Sequence, residues 1–150
     1  MARFNYRMQN ILQLKEKLEE QEKNNFAARR AILTEEEEKM AALLRKRDDI
    51  AEAGKAMRLT TIDVLKIKEN ERQAEYAEEE IRQQRVKVRV AEKNLDAAKR
   101  RMTEAMQERR IHEKLREKAF DRFVAELNAE EIKEIDGLTS YIHGTKSEDE

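Results

Sequence analysis

Between Ile67 and Met102, apolar residues recur at every seventh position: Ile67, Ala74, Ile81, Val88, Leu95 and Met102. A second set, Ala77, Ala91, Ala98 and Ala105, sits three residues further on, with Asn70 and Gln84 interrupting it. Alternating steps of three and four describe a helix that buries a narrow stripe against another helix. Upstream, Phe4, Ile11, Leu14, Leu18, Ala28 and Ile32 keep helical spacing, and Leu33, Met40, Leu43, Ile50 and Met57 continue the stripe one position later. That slip predicts a stutter in the first helix.

Gly54 is the only Gly or Pro between Met1 and Asp136, and these residues are the strongest local breakers. The pattern therefore predicts helix 1 over about 3–54, a turn over about 55–60 and helix 2 over about 61–136. Thr60 is the expected cap of helix 2, with Asp63 at its third helical position. A short turn makes the two helices antiparallel. Folding about Met57 brings Val88 level with Phe26, Ile81 with Leu33 and Ala74 with Met40. The expected fold class is all-α: a long antiparallel two-helix coiled coil, an α-hairpin over 1–136, with a flexible, frayed tail over 137–150.

In that register Met1 lies opposite Glu113, and about 23 residues of the second helix project beyond the first. They carry Leu115, Ala119, Phe120, Phe123, Val124 and Leu127. Together with Phe4 and Ile11 near the start of the chain, these form the candidate partner-binding surface, because an exposed apolar stripe on a solitary helix otherwise invites aggregation. Two other readings stay open. The chain could fold back so that Ile132, Ile135, Leu138 and Ile142 cover Phe120 and Phe123, or two copies could pair end to end.

Composition narrows the class. With 43% charged residues and no Pro, Cys or Trp, and a mean hydropathy of -1.00, the chain lacks the material of a compact core. It is either disordered or built of long helices, and the heptads select the helices. Lys+Arg number 32 against Asp+Glu 33, so electrostatic docking must be local. One stretch is markedly basic: Arg82, Arg85, Lys87, Arg89, Lys93, Lys99, Arg100 and Arg101 accompany only two acids, Glu92 and Asp96. It is either a dock for an acidic surface or a solvated coiled-coil face. Folding about Met57 would set Glu35, Glu36, Glu37 and Glu38 beside Glu75, Glu78, Glu79 and Glu80, which opposes pairing unless cations screen them.

No Phe, Tyr or Trp lies between Tyr76 and Phe120, so the basic band lacks the stacking groups of a nucleic-acid site. Without Cys there are no disulfides or zinc–thiolate sites. No apolar run approaches the roughly 18 residues of a membrane span, which points to the cytosol and against direct membrane insertion. His112 and His143 read as surface residues, with no metal site, cofactor or catalytic group expected. "GK" at Gly54 lacks the second Gly of a phosphate loop.

The two ends of the chain carry a family resemblance. "FNYRMQNILQLKEKLEEQEK", through Phe4, Tyr6, Gln9, Leu12, Leu14 and Lys15, and "EKLREKAFDRF" followed by "AEEIKEIDGL", through Glu113, Lys114, Arg116, Glu117, Lys118, Phe120, Phe123, Glu131, Lys133, Glu134 and Asp136, resemble the flagellar FliJ family of bacterial export proteins. That resemblance implies an antiparallel coiled coil similar to the rotor stalk of rotary ATPases. It implies a non-enzymatic component of the flagellar type III export apparatus, cytoplasmic and peripherally associated with the inner face of the cell membrane. Its implied partners are the hexameric export ATPase, the membrane export gate protein and the export chaperones it helps recycle. The segments Phe4 to Leu18 and Leu115 to Leu127 would enter the centre of the ATPase ring. A stalk of a non-flagellar type III system and a structural spacer are the alternatives. The segment "MRLTTIDVLKIKENERQ" departs from the family pattern, lacking its Tyr-rich helix start.

Overall fold

The computed structural model describes residues 2–148. All regular structure among them is helical, in two long helices packed against each other: α1, Gln9–Leu59, and α2, Val64–Glu148. The chain divides into two compact units. A reversal unit comprises Glu20–Glu104, and a chain-end unit comprises Met1–Glu19 with Ala105–Glu150.

α1 begins later than the spacing predicts. Residues 2–6 are not helical, and the first turn closes through Gln9 N–H donating to the Tyr6 carbonyl at 3.1 Å and Leu12 N–H donating to the Met8 carbonyl at 3.1 Å. Phe4 and Tyr6 are half-buried in this non-helical stretch. Burying two aromatic rings outweighs one more turn of a helix end, which is weak on its own.

Gly54 does not break α1, which continues to Leu59. A mid-helix Gly costs only about 1 kcal/mol relative to Ala and keeps every backbone hydrogen bond. Its purpose is close approach. Gly54 is buried, and a Cβ there would lie 2.5 Å from Asn70 Oδ1. The Asn70 amide in turn donates to the Ile50 carbonyl at 2.9 Å. The reversal therefore falls between Leu59 and Val64 rather than at 55–60. Asp63, not Thr60, caps α2: its carboxylate accepts from the backbone N–H of Leu65 at 3.1 Å and of Lys66 at 3.4 Å, satisfying donors that a helix start leaves free. The Thr60 hydroxyl donates backward to the Ala56 carbonyl at 3.5 Å.

The seam of α2 is the predicted one. Ala77, Ile81, Gln84, Ala91 and Ala98 are buried, and Ile67, Asn70, Ala74, Val88, Leu95, Met102 and Ala105 are partly buried. The seam of α1 is the predicted one from Leu33 to Met57 and differs upstream of it. Its inward positions run as an unbroken heptad through Leu12, Glu19, Phe26, Leu33, Met40, Arg47 and Gly54, accompanied by Lys15, Glu22, Arg29, Glu36, Leu43, Ile50 and Met57. The stutter is absent, and Ile11, Leu14, Leu18 and Ile32 lie outside the seam and exposed. Charged side chains occupy seam positions because a two-helix seam is narrow enough for their stems to lie along it while the heads reach partners or water.

Moving the reversal to 60–63 slides every cross-helix neighbour, so the pairs Val88–Phe26, Ile81–Leu33 and Ala74–Met40 do not form as predicted. The amide of Gln84 donates to the Glu36 carbonyl at 3.0 Å and also meets the Glu36 carboxylate. Lys46 pairs with Glu80 at 3.6 Å and lies 5.9 Å from the Tyr76 ring centre. The acidic run Glu35–Glu38 thus adjoins the beginning of the basic band, and Glu75–Glu80 adjoins Arg45–Arg47. The carboxylate crowding expected from the sequence is replaced by acid beside base.

The C-terminal stretch is likewise corrected. α2 passes Gly137 and Gly144 to Glu148, so residues 137–148 are helical rather than a frayed tail, and the fold-back of Ile132–Ile142 does not occur. Residues 149 and 150 lie outside the described ones.

Two measurements test this packing. In urea titrations, Ile81→Ala, 1% exposed in the wild type, costs about 2–4 kcal/mol, whereas exposed Leu14→Ala costs under about 1 kcal/mol. In a double-mutant cycle, Gly54→Ala is near neutral in the wild type, because about 1 kcal/mol of helix propensity offsets the displaced Asn70 hydrogen bond. In Asn70→Ala, the same change stabilises by about 1 kcal/mol.

Candidate functional site

The chain-end unit brings together residues that are far apart in sequence. The Phe4 ring packs edge-on against Phe120, with centroids 5.1 Å apart and planes at 81°. It also contacts Phe123 at 5.5 Å, and Phe120 and Phe123 are 6.5 Å apart. Arg116 lies 5.8 Å from the Phe4 ring centre, and its Nε donates to Gln9 Oε1 at 3.0 Å. Offset and edge-to-face rings are worth more than their area alone, and the guanidinium adds a cation–π contact. Phe120 and Phe123 of "EKLREKAFDRF" thus pack against the non-helical beginning of the chain.

The candidate surface is accordingly smaller in its first part than the sequence implies. Phe4, Ala119, Phe123, Val124 and Leu127 are half-buried, while Ile11, Leu115 and Phe120 remain partly open at 39%, 43% and 46%. The projection starts after this cluster rather than at Glu113, since Lys15 Nζ pairs with Glu108 at 2.7 Å and Arg116 with Gln9.

Below the rings the seam is ionic. Arg109 bonds Glu19 through Nε and Glu113 through Nη1, the latter at 2.7 Å. The Arg109 guanidinium pKa is raised by its bonds to Glu113 and Glu19. The Glu108 carboxyl is held below its ordinary range, first by the hydrogen bond from Lys15 and then by that residue's charge. A lowered carboxyl pKa contributes stability above the unfolded value, and that contribution is lost as pH falls through the folded one. His112 is not the surface residue that the sequence suggests. It continues the α2 heptad, is half-buried, and its Nδ1 has no hydrogen-bond partner among the described residues.

Beyond Leu127 every described side chain of α2 up to Lys146 is exposed. At about 100° per residue, Phe120, Phe123, Val124, Leu127, Ile135, Leu138, Tyr141 and Ile142 fall within an arc of about 120°. Of the first four, Phe120 and Phe123 meet the Phe4 ring and Val124 and Leu127 are half-buried, whereas Ile135, Leu138, Tyr141 and Ile142 are between 52% and 71% exposed. Glu131 and Glu134 sit within the same arc, between the two apolar groups. From Glu126 to Asp136 five acids accompany one cation, Lys133. The sequence pattern offers Ile135, Leu138 and Ile142 only as a fold-back, so it misses this half of the face; helical spacing is the signal that could have found it.

The basic band belongs to the reversal unit. Arg82, Arg85, Lys87, Arg89, Lys93, Lys99, Arg100 and Arg101 are all exposed. Among the described residues only Arg82 of these forms an ion pair, with Glu79 at 3.0 Å. A further surface escapes the sequence pattern: Leu59, Ile62, Val64 and Leu65 at the reversal are heavily exposed. Four aliphatic residues within seven positions are visible in the sequence, but a turn placed at 55–60 conceals their meaning. No group of three His, Cys, Asp or Glu among the described residues is placed to hold a metal, and no helix among them is long and apolar enough to cross a membrane.

Compared with known proteins, residues 4–148 match the family described as Flagellar FliJ protein. No curated protein and no solved structure matches the chain.

The aromatic cluster is tested by Phe4→Ala. It lowers unfolding stability by about 1–2 kcal/mol, the value for a half-buried ring in an aromatic pair. Hydrogen exchange of amides in Leu115–Leu127 accelerates while that of Ala77–Ala98 is unchanged.

Proposed function

The chain belongs to the flagellar FliJ family, a component of the flagellar protein-export apparatus, and on that premise we propose that it is a non-enzymatic coiled-coil stalk that engages the hexameric export ATPase through its chain-end unit. The observation that carries the reading is the uncovered α2 face of Ile135, Leu138, Tyr141 and Ile142, on the same side of α2 as Phe120 and Phe123 of the ring cluster with Phe4. An amphipathic helix with no mate supplies one half of a helix-in-groove contact. Ile11, Ala119, Leu115, Val124 and Leu127 form the shoulder of that contact.

The face also specifies its receptor. Burying Leu138 and Tyr141 together with Leu127 carries Glu131 and Glu134 out of water, and unpaired buried carboxylates are costly. The receiving surface is therefore apolar with Lys or Arg set into it. A stiff helical pair seated in a ring contacts its subunits unequally, and so biases ring assembly or the order of hydrolysis without performing chemistry itself. The basic band from Arg82 to Arg101 offers a second dock of opposite sign, suited to an acidic surface on the export gate protein or on an export chaperone that the stalk helps to recycle. Engagement of the gate would hold the chain at the inner face of the cell membrane while the rest of it stays in the cytoplasm.

Binding to the purified export ATPase tests the reading. Leu138→Ser with Tyr141→Ser weakens binding at least about tenfold, consistent with removing two buried anchors, while helix content by circular dichroism is unchanged. Glu131→Leu with Glu134→Leu weakens it as well, although the face becomes more apolar. Wild-type strength in the first pair sinks the stalk reading, and tighter binding in the second removes the cationic receptor.

A further inference from the structure

The reversal between the helices carries the two most exposed large apolar side chains of the described chain, Leu59 at 88% and Leu65 at 79%, with Ile62 at 67% and Val64 at 60% beside them. A polar turn would serve the fold as well, since the structural tasks there fall to others: Asp63 caps α2 through its carboxylate, and Thr60 closes α1. Ile62 has a local use as the residue before the cap, where a hydrophobic staple to half-buried Ile67 is the usual arrangement. That leaves Leu59, Val64 and Leu65 without one.

The charge around these residues is one-sided. From Lys55 to Lys68 there are four cations, Lys55, Arg58, Lys66 and Lys68, and one acid, Asp63, whose oxygen is occupied at the cap. Arg58 approaches Glu71 at 3.9 Å. The three lysines form no ion pair among the described residues and are exposed.

We propose that this reversal is a membrane-docking tip, with Leu59, Ile62, Val64 and Leu65 seated in the interfacial layer of an anionic bilayer and Lys55, Lys66 and Lys68 among its headgroup phosphates. Two features favour lipid over a protein groove. The apolar residues cap a helix-to-helix reversal, a convex shape that a fluid surface accepts without a matching cavity, and their surrounding charge has the sign that anionic lipid attracts. Aliphatic burial and surface charge act together here, as in other interfacial anchors, and neither suffices alone. Nothing crosses the bilayer, in keeping with the lack of a spanning helix among the described residues. The site lies in the reversal unit and is independent of the ATPase reading, which rests on the chain-end unit.

Vesicle co-sedimentation of the full chain decides the matter, using phosphatidylcholine alone and phosphatidylcholine with about one-third phosphatidylglycerol, in about 0.1 M salt. Wild-type protein pellets with the anionic vesicles and not with the neutral ones. Leu59→Ser with Leu65→Ser reduces partitioning at least about tenfold. Lys55→Gln with Lys66→Gln and Lys68→Gln reduces it by about fivefold per cation. Arg85→Gln with Arg89→Gln and Arg100→Gln leaves at least half of the binding, and circular dichroism shows every variant folded. The proposal is overturned if wild-type protein stays in the supernatant, if neutral vesicles retain it equally, or if only the Arg85 set abolishes binding. It is also overturned if the Leu59 and Leu65 variant loses affinity for the purified export gate protein but not for lipid, which would make the tip a protein contact.

Discussion

The register between α1 and α2 is the constraint on which the rest depends, and it is held by polar groups rather than by the apolar seam. Alanines supply much of the α2 side, at Ala74, Ala77, Ala91, Ala98 and Ala105, and small residues let the helices approach closely but say little about longitudinal position. Sliding one helix by a heptad would bury nearly the same area. What such a slide would lose is Asn70 on the Ile50 carbonyl and Gln84 on the Glu36 backbone and carboxylate. Polar seam residues of this kind fix register at some cost in stability. The pairing of Lys46 with Glu80, and of Lys15 with Glu108 in the chain-end unit, follows the same alignment.

The sequence makes one helix legible and leaves the other half-hidden, for a physical reason. In α2 every seam position from Ile67 to Met102 is apolar, small or an amide, so the heptad announces itself, with Asn70 and Gln84 as visible interruptions. In α1 the inward positions Lys15, Glu19, Glu22 and Arg29 are charged, while Ile11, Leu14, Leu18 and Ile32 lie outside. Following hydrophobicity therefore traces the wrong stripe and requires a stutter. Counting back in sevens from Leu33 through Phe26 and Glu19 to Leu12 finds the true one. Gly54 misleads in the same way. As a lone glycine it reads as a break, whereas it leaves room for the Asn70 side chain, which a Cβ there would crowd, and the expected reversal is displaced with it. Charge corrects the error on paper, because the predicted alignment sets acid against acid and the observed one sets acid beside base.

The candidate surfaces move with the reversal. Phe120 and Phe123 read as bare only while the first helix ends opposite Glu113; in the structure Phe4 reaches them from a non-helical stretch that heptad reasoning cannot describe. The uncovered apolar residues lie further along α2, at Ile135, Leu138, Tyr141 and Ile142. The composition and the family boxes at the two chain ends are sufficient for fold class and family. The position of the site depends on a register that the place of the reversal and specific side-chain bonds decide together.

A two-helix seam has a further consequence for where function can reside. Each helix offers the other about two positions in seven, so along most of its length the remaining surface must be polar to stay in water. Large aliphatic residues are most exposed where α2 lacks its mate and where the chain reverses, although Ile11, Leu14 and Leu18 also lie open on the paired stretch. The surroundings of those two places differ in sign: five acids and one cation between Glu126 and Asp136, against four cations and one acid between Lys55 and Lys68. A net charge of -1 conceals that segregation. The partners proposed for the two surfaces, a cationic protein surface and an anionic bilayer, differ in sign in the same way, so that neither suits the other's surface.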